Sequence, residues 1–262
     1  MSTSRFRGMA LVSTALCGGA LLLGSATVTG CVTIDTEKNV RLGEIHFKLG
    51  VHELHQNRSH AALKELLVAL KHDPENADAH YAMGFLFQGR REYDKAVFHL
   101  QEAAKFRADF ADAFNNLGTV FLEQGRYDDA IAQFRKALGV MTYATPYLPY
   151  GNIGWAFYKR GDLREAVKSL KTALFHNPKF CLGHNNLGVV YAQLGEHALA
   201  KRHLEQALVQ CPKYVEAQYR LGLSHLKLQR RDLALSQFRT CAELSPESRW
   251  GQECGRYTKL LR

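Results

Sequence analysis

The chain has 262 residues, of which 46% are hydrophobic and 23% are charged, values that are typical of a folded protein and argue against wholesale disorder. Its formal net charge of +9 invites a nucleic-acid-binding interpretation. Basic and acidic residues are interleaved, however, as in Arg126-Tyr127-Asp128-Asp129. We therefore interpret the charge as a solvated surface and expect no nucleic-acid partner.

The first thirty residues differ in composition from the rest of the chain. Residues 1–8 contain two arginines and no acidic residue, and residues 9–26 are almost entirely apolar or small. A short basic stretch followed by an apolar run is typical of an export signal, and a retained membrane-spanning helix is the alternative. We predict that residues 1–30 are a signal peptide that is cleaved.

The segment Val28-Thr29-Gly30-Cys31 ends this region. It resembles the lipobox of bacterial lipoprotein signals, in which a branched apolar residue and two small residues precede the lipidated cysteine. The resemblance implies lipidation of Cys31, and several acyl chains at ~0.8 kcal/mol per buried methylene make a stable membrane anchor. Val32 stands where inner-membrane retention signals have aspartate, so we predict an outer-membrane location facing the periplasm. Residues 32–41 are polar without helical periodicity, and we interpret residues 31–42 as the lipidated N-terminus and a tether.

From Gly43 onward the sequence repeats with a period of 34 residues. Each repeat contains an apolar residue followed by glycine: Leu49-Gly50, Met83-Gly84, Leu117-Gly118, Ile153-Gly154, Leu187-Gly188 and Leu221-Gly222. An alanine follows each apolar residue after thirteen positions: Ala62, Ala96, Ala130, Ala166, Ala200 and Ala234. Small residues at these places allow two antiparallel helices to cross closely, and large apolar residues at helical spacing fill the seam.

This pattern resembles the tetratricopeptide repeat. It predicts an all-α fold, a right-handed superhelical solenoid in which each helix pair buries its apolar face on the next. We place the six repeats at residues 43–76, 77–110, 111–146, 147–180, 181–214 and 215–247. Residues 248–262 are predicted to form a capping helix.

One junction departs from the period, because two additional residues separate Leu117 from Ile153. The segment Val140–Tyr150 contains two prolines and three tyrosines, a composition that indicates a fixed irregular loop. Both a tolerated insertion and a functional contact point are consistent with it.

Four cysteines remain after Cys17 of the signal and Cys31 are set aside. An even number in an exported domain suggests disulfides. The repeat phase puts Cys181 at the start of the first helix of the fifth repeat and Cys211 at the end of its second helix, where antiparallel helices bring them together. Cys241 faces the seam between the sixth repeat and the cap, as does Cys254. We predict the bonds Cys181–Cys211 and Cys241–Cys254; four buried free thiols are the alternative.

Residues that would carry catalysis are not recognisable in the sequence. No serine, histidine and acid lie in a nucleophile context, and no glycine-rich loop is placed to hold a phosphate. His52 and His55 are three residues apart, whereas the metalloprotease signature has them four apart. We expect no catalytic residue, no metal and no cofactor, and therefore a protein that is not an enzyme.

The repeat family implies that the first helix of each pair lines a concave groove. Its expected protein-binding residues are mostly apolar or aromatic: Phe47, Val51, Tyr81, Phe85, Trp155, Tyr158, Val189, Tyr219 and Leu223. Asn116, Asn152 and Asn186 share the sixth helix position and resemble the asparagine ladder of peptide-binding members, although asparagine is also simply frequent there. The pattern favours an extended or amphipathic apolar segment of another exported protein as the ligand.

A lipobox followed by six such repeats resembles the type IV pilus biogenesis lipoproteins called pilotins. In detail the chain is similar to the myxobacterial member needed for social motility, on the basis of Thr145–Leu148 running into Gly151–Trp155 and of Phe180–Gly183. The resemblance implies a monomer that binds subunits of the outer-membrane secretin through the groove and promotes assembly of the secretin ring. The alternative is a lipoprotein scaffold that recruits periplasmic cell-wall enzymes or outer-membrane assembly factors.

Overall fold

The computed structural model describes residues 30–261, with side chains from Thr36 onward, and the predictions for residues 1–29 lie outside the described residues. Within that range there are thirteen α-helices and no strand, so the predicted all-α repeat fold is confirmed. The helices are α1 (Gly30–His55), α2 (Ser59–His72), α3 (Ala77–Gly89), α4 (Tyr93–Phe106), α5 (Ala111–Glu123), α6 (Tyr127–Leu138), α7 (Tyr147–Arg160), α8 (Leu163–His176), α9 (Cys181–Gln193), α10 (His197–Gln210), α11 (Val215–Lys227), α12 (Arg231–Leu244) and α13 (Arg249–Leu260).

Each odd-numbered helix from α1 to α11 packs against the even-numbered helix that follows it, at a crossing that admits no side chain on the glycine. A Cβ atom added to Gly154 of α7 would lie 2.6 Å from Cγ of Leu170 in α8. Leu170 itself is fully buried, together with Ala166 and Ala173 of the same helix. The five other repeats have the same contact: Gly50 with Leu66, Gly84 with Leu100, Gly118 with Phe134, Gly188 with Leu204 and Gly222 with Phe238.

The pairs stack in chain order within the compact body Asn39–Arg262. Each even-numbered helix from α2 to α10 contacts the next odd-numbered helix, and consecutive odd-numbered helices from α3 to α11 also contact each other. Helix α13 contacts both α12 and α11, the neighbours that a further repeat would contact. One buried apolar cluster extends from Ala62 to Ala200, and two smaller clusters continue it to Cys254.

The turn inside every pair contains one residue with positive φ, a conformation that glycine adopts without steric cost. Glycine holds this place in the third, fourth and fifth repeats, with Gly161 at φ 99°. Other residues hold it in the first, second and sixth repeats, namely Asn57 (56°), Arg91 (60°) and Gln229 (58°). A non-glycine residue held there costs about 1–2 kcal/mol.

Two predicted segments are helical over more residues than we expected. Helix α1 begins at Gly30, so residues 32–41 are helical although their sequence has no helical periodicity, and their role as a tether stays a prediction. These residues include no glycine or proline, and extending an existing helix is far easier than nucleating one. Tyr147–Tyr150 belong to α7 and not to the irregular loop. Pro149 fits there because amide groups in the first helical turn have no acceptor within the helix. None of the described helices is both long and apolar enough to cross a bilayer.

Candidate protein-binding groove

The first four predicted groove residues lie together. Phe47 and Val51 of α1 and Tyr81 and Phe85 of α3 line one open cavity of about 650 Å³. We call this cavity the aromatic pocket; its other lining residues are Leu54, His55, Asn57, Asp78, Ala82 and Phe110. Phe85 is 55% exposed, so its ring is available to a ligand.

Neighbouring contacts hold the remaining walls of the aromatic pocket in place. The rings of Tyr81 and Phe110 are 4.9 Å apart. The guanidinium of Arg107 lies 4.3 Å from the centre of the Phe110 ring and forms an ion pair with Asp78 at the rim. Burial raises the pKa of the Tyr81 hydroxyl, and the carboxylate of Asp112 raises it further. Tyr81 therefore stays neutral, and the pocket is an apolar surface with a paired charge at its edge.

The three asparagines bond to their neighbours in different ways. Asn116 Nδ2 donates to the Tyr81 hydroxyl at 3.0 Å, and Asn152 Nδ2 donates to Oδ1 of Asn115 at 3.1 Å. Asn186 is 8% exposed, and its Oδ1 accepts from Asn185. The first two hydrogen bonds connect consecutive odd-numbered helices, whereas the third lies within α9. Asn116 and Asn152 therefore help to hold the array together whatever they do for a ligand.

The fourth to sixth repeats contribute the other predicted groove residues. Trp155 stacks on Tyr158 with ring centres 4.8 Å apart. Tyr158, Val189 and Leu223 line a second cavity of about 180 Å³, which we call the basic pocket; its other lining residues are Gly188, Ala192, Gln193, His197, Arg220, Ser224 and Lys227. Tyr219 packs on Trp250 of the cap helix at 5.0 Å. The structure therefore divides eight of the predicted groove residues between two pockets and the cap, whereas Trp155 and the three asparagines line neither pocket.

The loop between α6 and α7 packs back on the array through Tyr143. Its hydroxyl is buried without a hydrogen-bond partner. Burial raises the pKa of this hydroxyl, and the charge of Asp112 raises it as well. Asp112 thus lies near both Tyr143 and Tyr81, which places the loop beside the wall that carries the aromatic pocket.

The structure contains two disulfides, Cys181–Cys211 and Cys241–Cys254. These are the pairs that the repeat phase predicts. The first joins the start of α9 to the residue after α10, and the second joins α12 to the cap helix. The side chain of Cys31 lies outside the described residues, so its lipidation stays a prediction. Among residues 36–261 no cluster of three or more histidines, cysteines or acids could hold a metal ion.

The sequence analysis did not identify two partly buried histidine pairs. Nδ1 of His80 lies 3.0 Å from Nδ1 of His99, and the same atoms of His184 and His203 are 3.2 Å apart. In both pairs the first histidine donates from Nε2 to a proline carbonyl at 3.0 Å, so in its neutral form its Nδ1 can only accept. The signal was a histidine at the fourth position of the first helix with another 19 residues later.

These pairs make the protein less stable in acid. Burial, followed by the charge of the partner histidine, lowers the pKa of both His99 and His203 from 6.5 to about 4. Between pH 6.5 and 4 these two histidines are protonated in the unfolded chain but neutral in the folded chain. The free energy of unfolding therefore falls as the pH drops from 6.5 towards 4. We expect a loss of about 1 kcal/mol per pair between pH 7 and 5, after discounting for partial exposure.

Urea unfolding at the two pH values measures this loss. The double variant His99→Gln and His203→Gln keeps a donor for each partner histidine and should show a smaller pH dependence than the original chain. His60→Gln, at an exposed position, is the matched control and should leave it unchanged. Equal pH dependence in all three chains would show that the histidine pairs are not responsible.

Four models of the tetratricopeptide repeat match residues 109–174, 154–195, 181–214 and 216–248. A comparison with curated protein sequences gives no match. Among solved structures, the chain is similar to PilW, titled a widely conserved type IV pilus biogenesis factor, with 23% identity, a TM-score of 0.74, and coverage of 80% of this chain and 97% of that one.

The chain is also similar to PilF of Pseudomonas aeruginosa, with 21% identity, a TM-score of 0.71, and coverage of 82% and 97%. A third similar structure is YrrB, titled a tetratricopeptide repeat protein with an unusual peptide-binding site, with 19% identity, a TM-score of 0.52, and coverage of 73% and 97%. At these identities the likeness concerns the fold. With the matching repeat models and the helix pairs described above, it establishes that the chain is a tetratricopeptide repeat protein.

Proposed function

We propose that this protein is an outer-membrane lipoprotein that binds subunits of the type IV pilus secretin and promotes assembly of the secretin ring. The aromatic pocket is the observation that carries the proposal, because it offers an exposed phenylalanine and about 650 Å³ of apolar-walled space to a protein segment. Fold similarity to two type IV pilus biogenesis proteins, PilW and PilF, supports the choice of system. The finer likeness to the myxobacterial member is part of the proposal.

In this proposal the lipid on Cys31 holds the array at the inner leaflet of the outer membrane. An apolar or amphipathic segment of a newly exported secretin subunit binds in the aromatic pocket, where Phe85 and Tyr81 cover it. Bound segments are shielded from aggregation, which is the main hazard for partly folded chains with exposed apolar surface. The subunit is released when its segment is buried in the ring.

The assembly step is tested on unheated cell-envelope samples with and without the gene, probed for the heat-resistant secretin ring. Loss of rings while secretin monomer persists is the expected result. Normal rings in the absence of the gene would remove this proposal and promote the scaffold that recruits periplasmic cell-wall enzymes or outer-membrane assembly factors.

The pocket is tested with Phe85→Ala, for which we expect at least a tenfold loss of secretin binding, the effect of a strong interface anchor of about 2 kcal/mol. Phe175→Ala is the matched control, because Phe175 is 82% exposed and lines neither pocket. Binding is measured by titrating the purified secretin subunit, and thermal melting verifies that both variants are folded. Equal binding by both variants would move the site away from the aromatic pocket.

A further inference from the structure

The basic pocket differs in charge from the rest of the groove. Arg220 and Lys227 of α11 line it together with His197 at the start of α10. Its floor is apolar and is formed by Val189 and Leu223. None of the residues that line this pocket is acidic. A cavity with cationic walls and an apolar floor selects for an anion attached to an apolar group.

Two side chains that line this pocket each have a buried nitrogen without a hydrogen-bond partner in the described part of the protein: Nε of Arg220 and Nδ1 of His197. Buried polar groups without partners are rare in folded proteins, and each one needs an explanation. An Nε–H group is a donor only, so it requires an acceptor. Arg220 and His197 both line the same cavity, and each keeps one nitrogen without a partner among the described residues.

The Arg220 guanidinium is held in position from two sides. One of its terminal nitrogens is 3.3 Å from Oε1 of Glu216 on the same helix. The ring of Trp250, from the cap helix, has its centre 5.1 Å from the guanidinium carbon. Glu216 offsets part of the charge but leaves Nε free. Lys227 lies seven residues after Arg220 on the same helix, about 10 Å along its axis. It forms no ion pair with any residue in the described part of the chain.

We propose that the basic pocket binds the carboxylate of an internal aspartate or glutamate that a protein segment carries next to an apolar residue. The carboxylate is attracted by the partly exposed guanidinium of Arg220 and by Lys227, while the adjacent apolar side chain covers Val189 and Leu223. The inference rests on the proposed function only in that a protein segment lies in the groove. It adds a requirement on that segment, namely an acid that follows or precedes the part bound in the aromatic pocket.

The charge of the pocket argues for this occupant over a purely apolar one. An apolar side chain would cover the cationic side chains of Arg220 and Lys227 without supplying a negative charge, and burying an unpaired charge is unfavourable. Hydrogen bonds between charged partners are stronger than neutral ones. A protein segment with an acid beside an apolar residue satisfies both parts of the cavity, whereas a free small anion leaves the floor uncovered.

The test uses the full-length chain in detergent and three pools of N-acetylated seven-residue peptides with mixed Leu, Phe, Val, Ala and Ser flanks. The first pool has glutamate in the centre and an amidated C-terminus, the second has glutamine in the centre and an amidated C-terminus, and the third has glutamine and a free C-terminus. We expect the glutamate pool to bind about tenfold more tightly than the amidated glutamine pool, with the ratio falling at high salt.

Lys227→Gln should reduce this preference several-fold, because it removes a positive charge from the pocket. Lys227 is exposed and forms no ion pair with the described residues, so the variant should fold normally. Lys213→Gln removes an equally exposed charge outside the pocket and should leave the preference intact. Arg220→Gln should abolish it, with thermal melting to separate this effect from loosening of the cap against Trp250.

Equal binding of the glutamate and glutamine pools would overturn the basic-pocket inference while leaving groove binding in place. Binding of none of the pools would count against both this inference and the proposed function. Preference for the pool with the free C-terminus alone would overturn the inference by identifying a terminal carboxylate as the ligand.

Discussion

Phe134→Ala is expected to lower the free energy of unfolding by about 3–5 kcal/mol, the usual loss for a large buried aromatic side chain. Phe134 is fully buried in α6, and its ring fills the space opposite Gly118 of α5. Because the third repeat lies inside the array, the cavity weakens contacts on both sides of it. Urea unfolding followed by circular dichroism measures the loss.

The matched control for this prediction is Phe175→Ala, in which a side chain that is 82% exposed is removed from α8. We expect that variant to stay within about 0.5 kcal/mol of the original chain. In an array stabilised by neighbour contacts, loss of one interface can uncouple the two ends. Hydrogen exchange should therefore show α5 and α6 opening before α9 and α10 in Phe134→Ala. Similar losses for both variants would contradict the packing described here.

Removing the bond Cys181–Cys211 is expected to cost about 3–4 kcal/mol on the chain-entropy model. The two cysteines are 30 residues apart in sequence, so the bond restricts a long loop in the unfolded chain. We expect the double variant Cys181→Ala and Cys211→Ala to unfold at lower urea concentration with its helix content unchanged. Alkylation before reduction, followed by mass spectrometry, verifies that the bond is present in the original chain.

The second disulfide provides the comparison for this measurement. Cys241 and Cys254 are 13 residues apart, so their loss should cost less, about 3 kcal/mol, and should act on the cap helix. A reducing agent added to the original chain should reproduce the sum of both losses. If the original chain were insensitive to reductant, neither bond would contribute to stability.

The repeat fold could be predicted from the sequence because the helix crossings restrict side-chain size at fixed positions close together in the chain. Gly154 and Ala166 are small because two helices cross closely there, and the large side chain of Leu170 packs against Gly154. The spacing of these three positions recurs six times. The start of α1 was not readable in the same way. Residues 32–41 can extend the helix because they contain no glycine or proline. They have no apolar period, so the sequence pattern does not indicate a helix there.

The positions of the expected groove side chains were predictable in part, because some follow from helix phase and others depend on partners outside the repeat. Helix phase alone places Phe47 and Phe85 towards one side, and the structure brings them into one pocket. The role of Tyr219 depends on Trp250 of the cap helix, which the repeat period does not describe. The histidine pairs depend on partners 19 residues apart, and a single histidine reveals nothing about its partner.

The positive-φ turn of each helix pair has a consequence for how the array holds a ligand. The three turns without glycine belong to the first, second and sixth repeats, so the strain is concentrated towards the two ends of the chain of repeats. The aromatic pocket draws on the first and second repeats, and the basic pocket draws on the sixth repeat together with the fourth and fifth. In an array of this kind the terminal repeats unfold locally more readily than the central ones. A ligand that spans both pockets is therefore expected to stabilise the terminal repeats against local unfolding, because it binds only when they are folded.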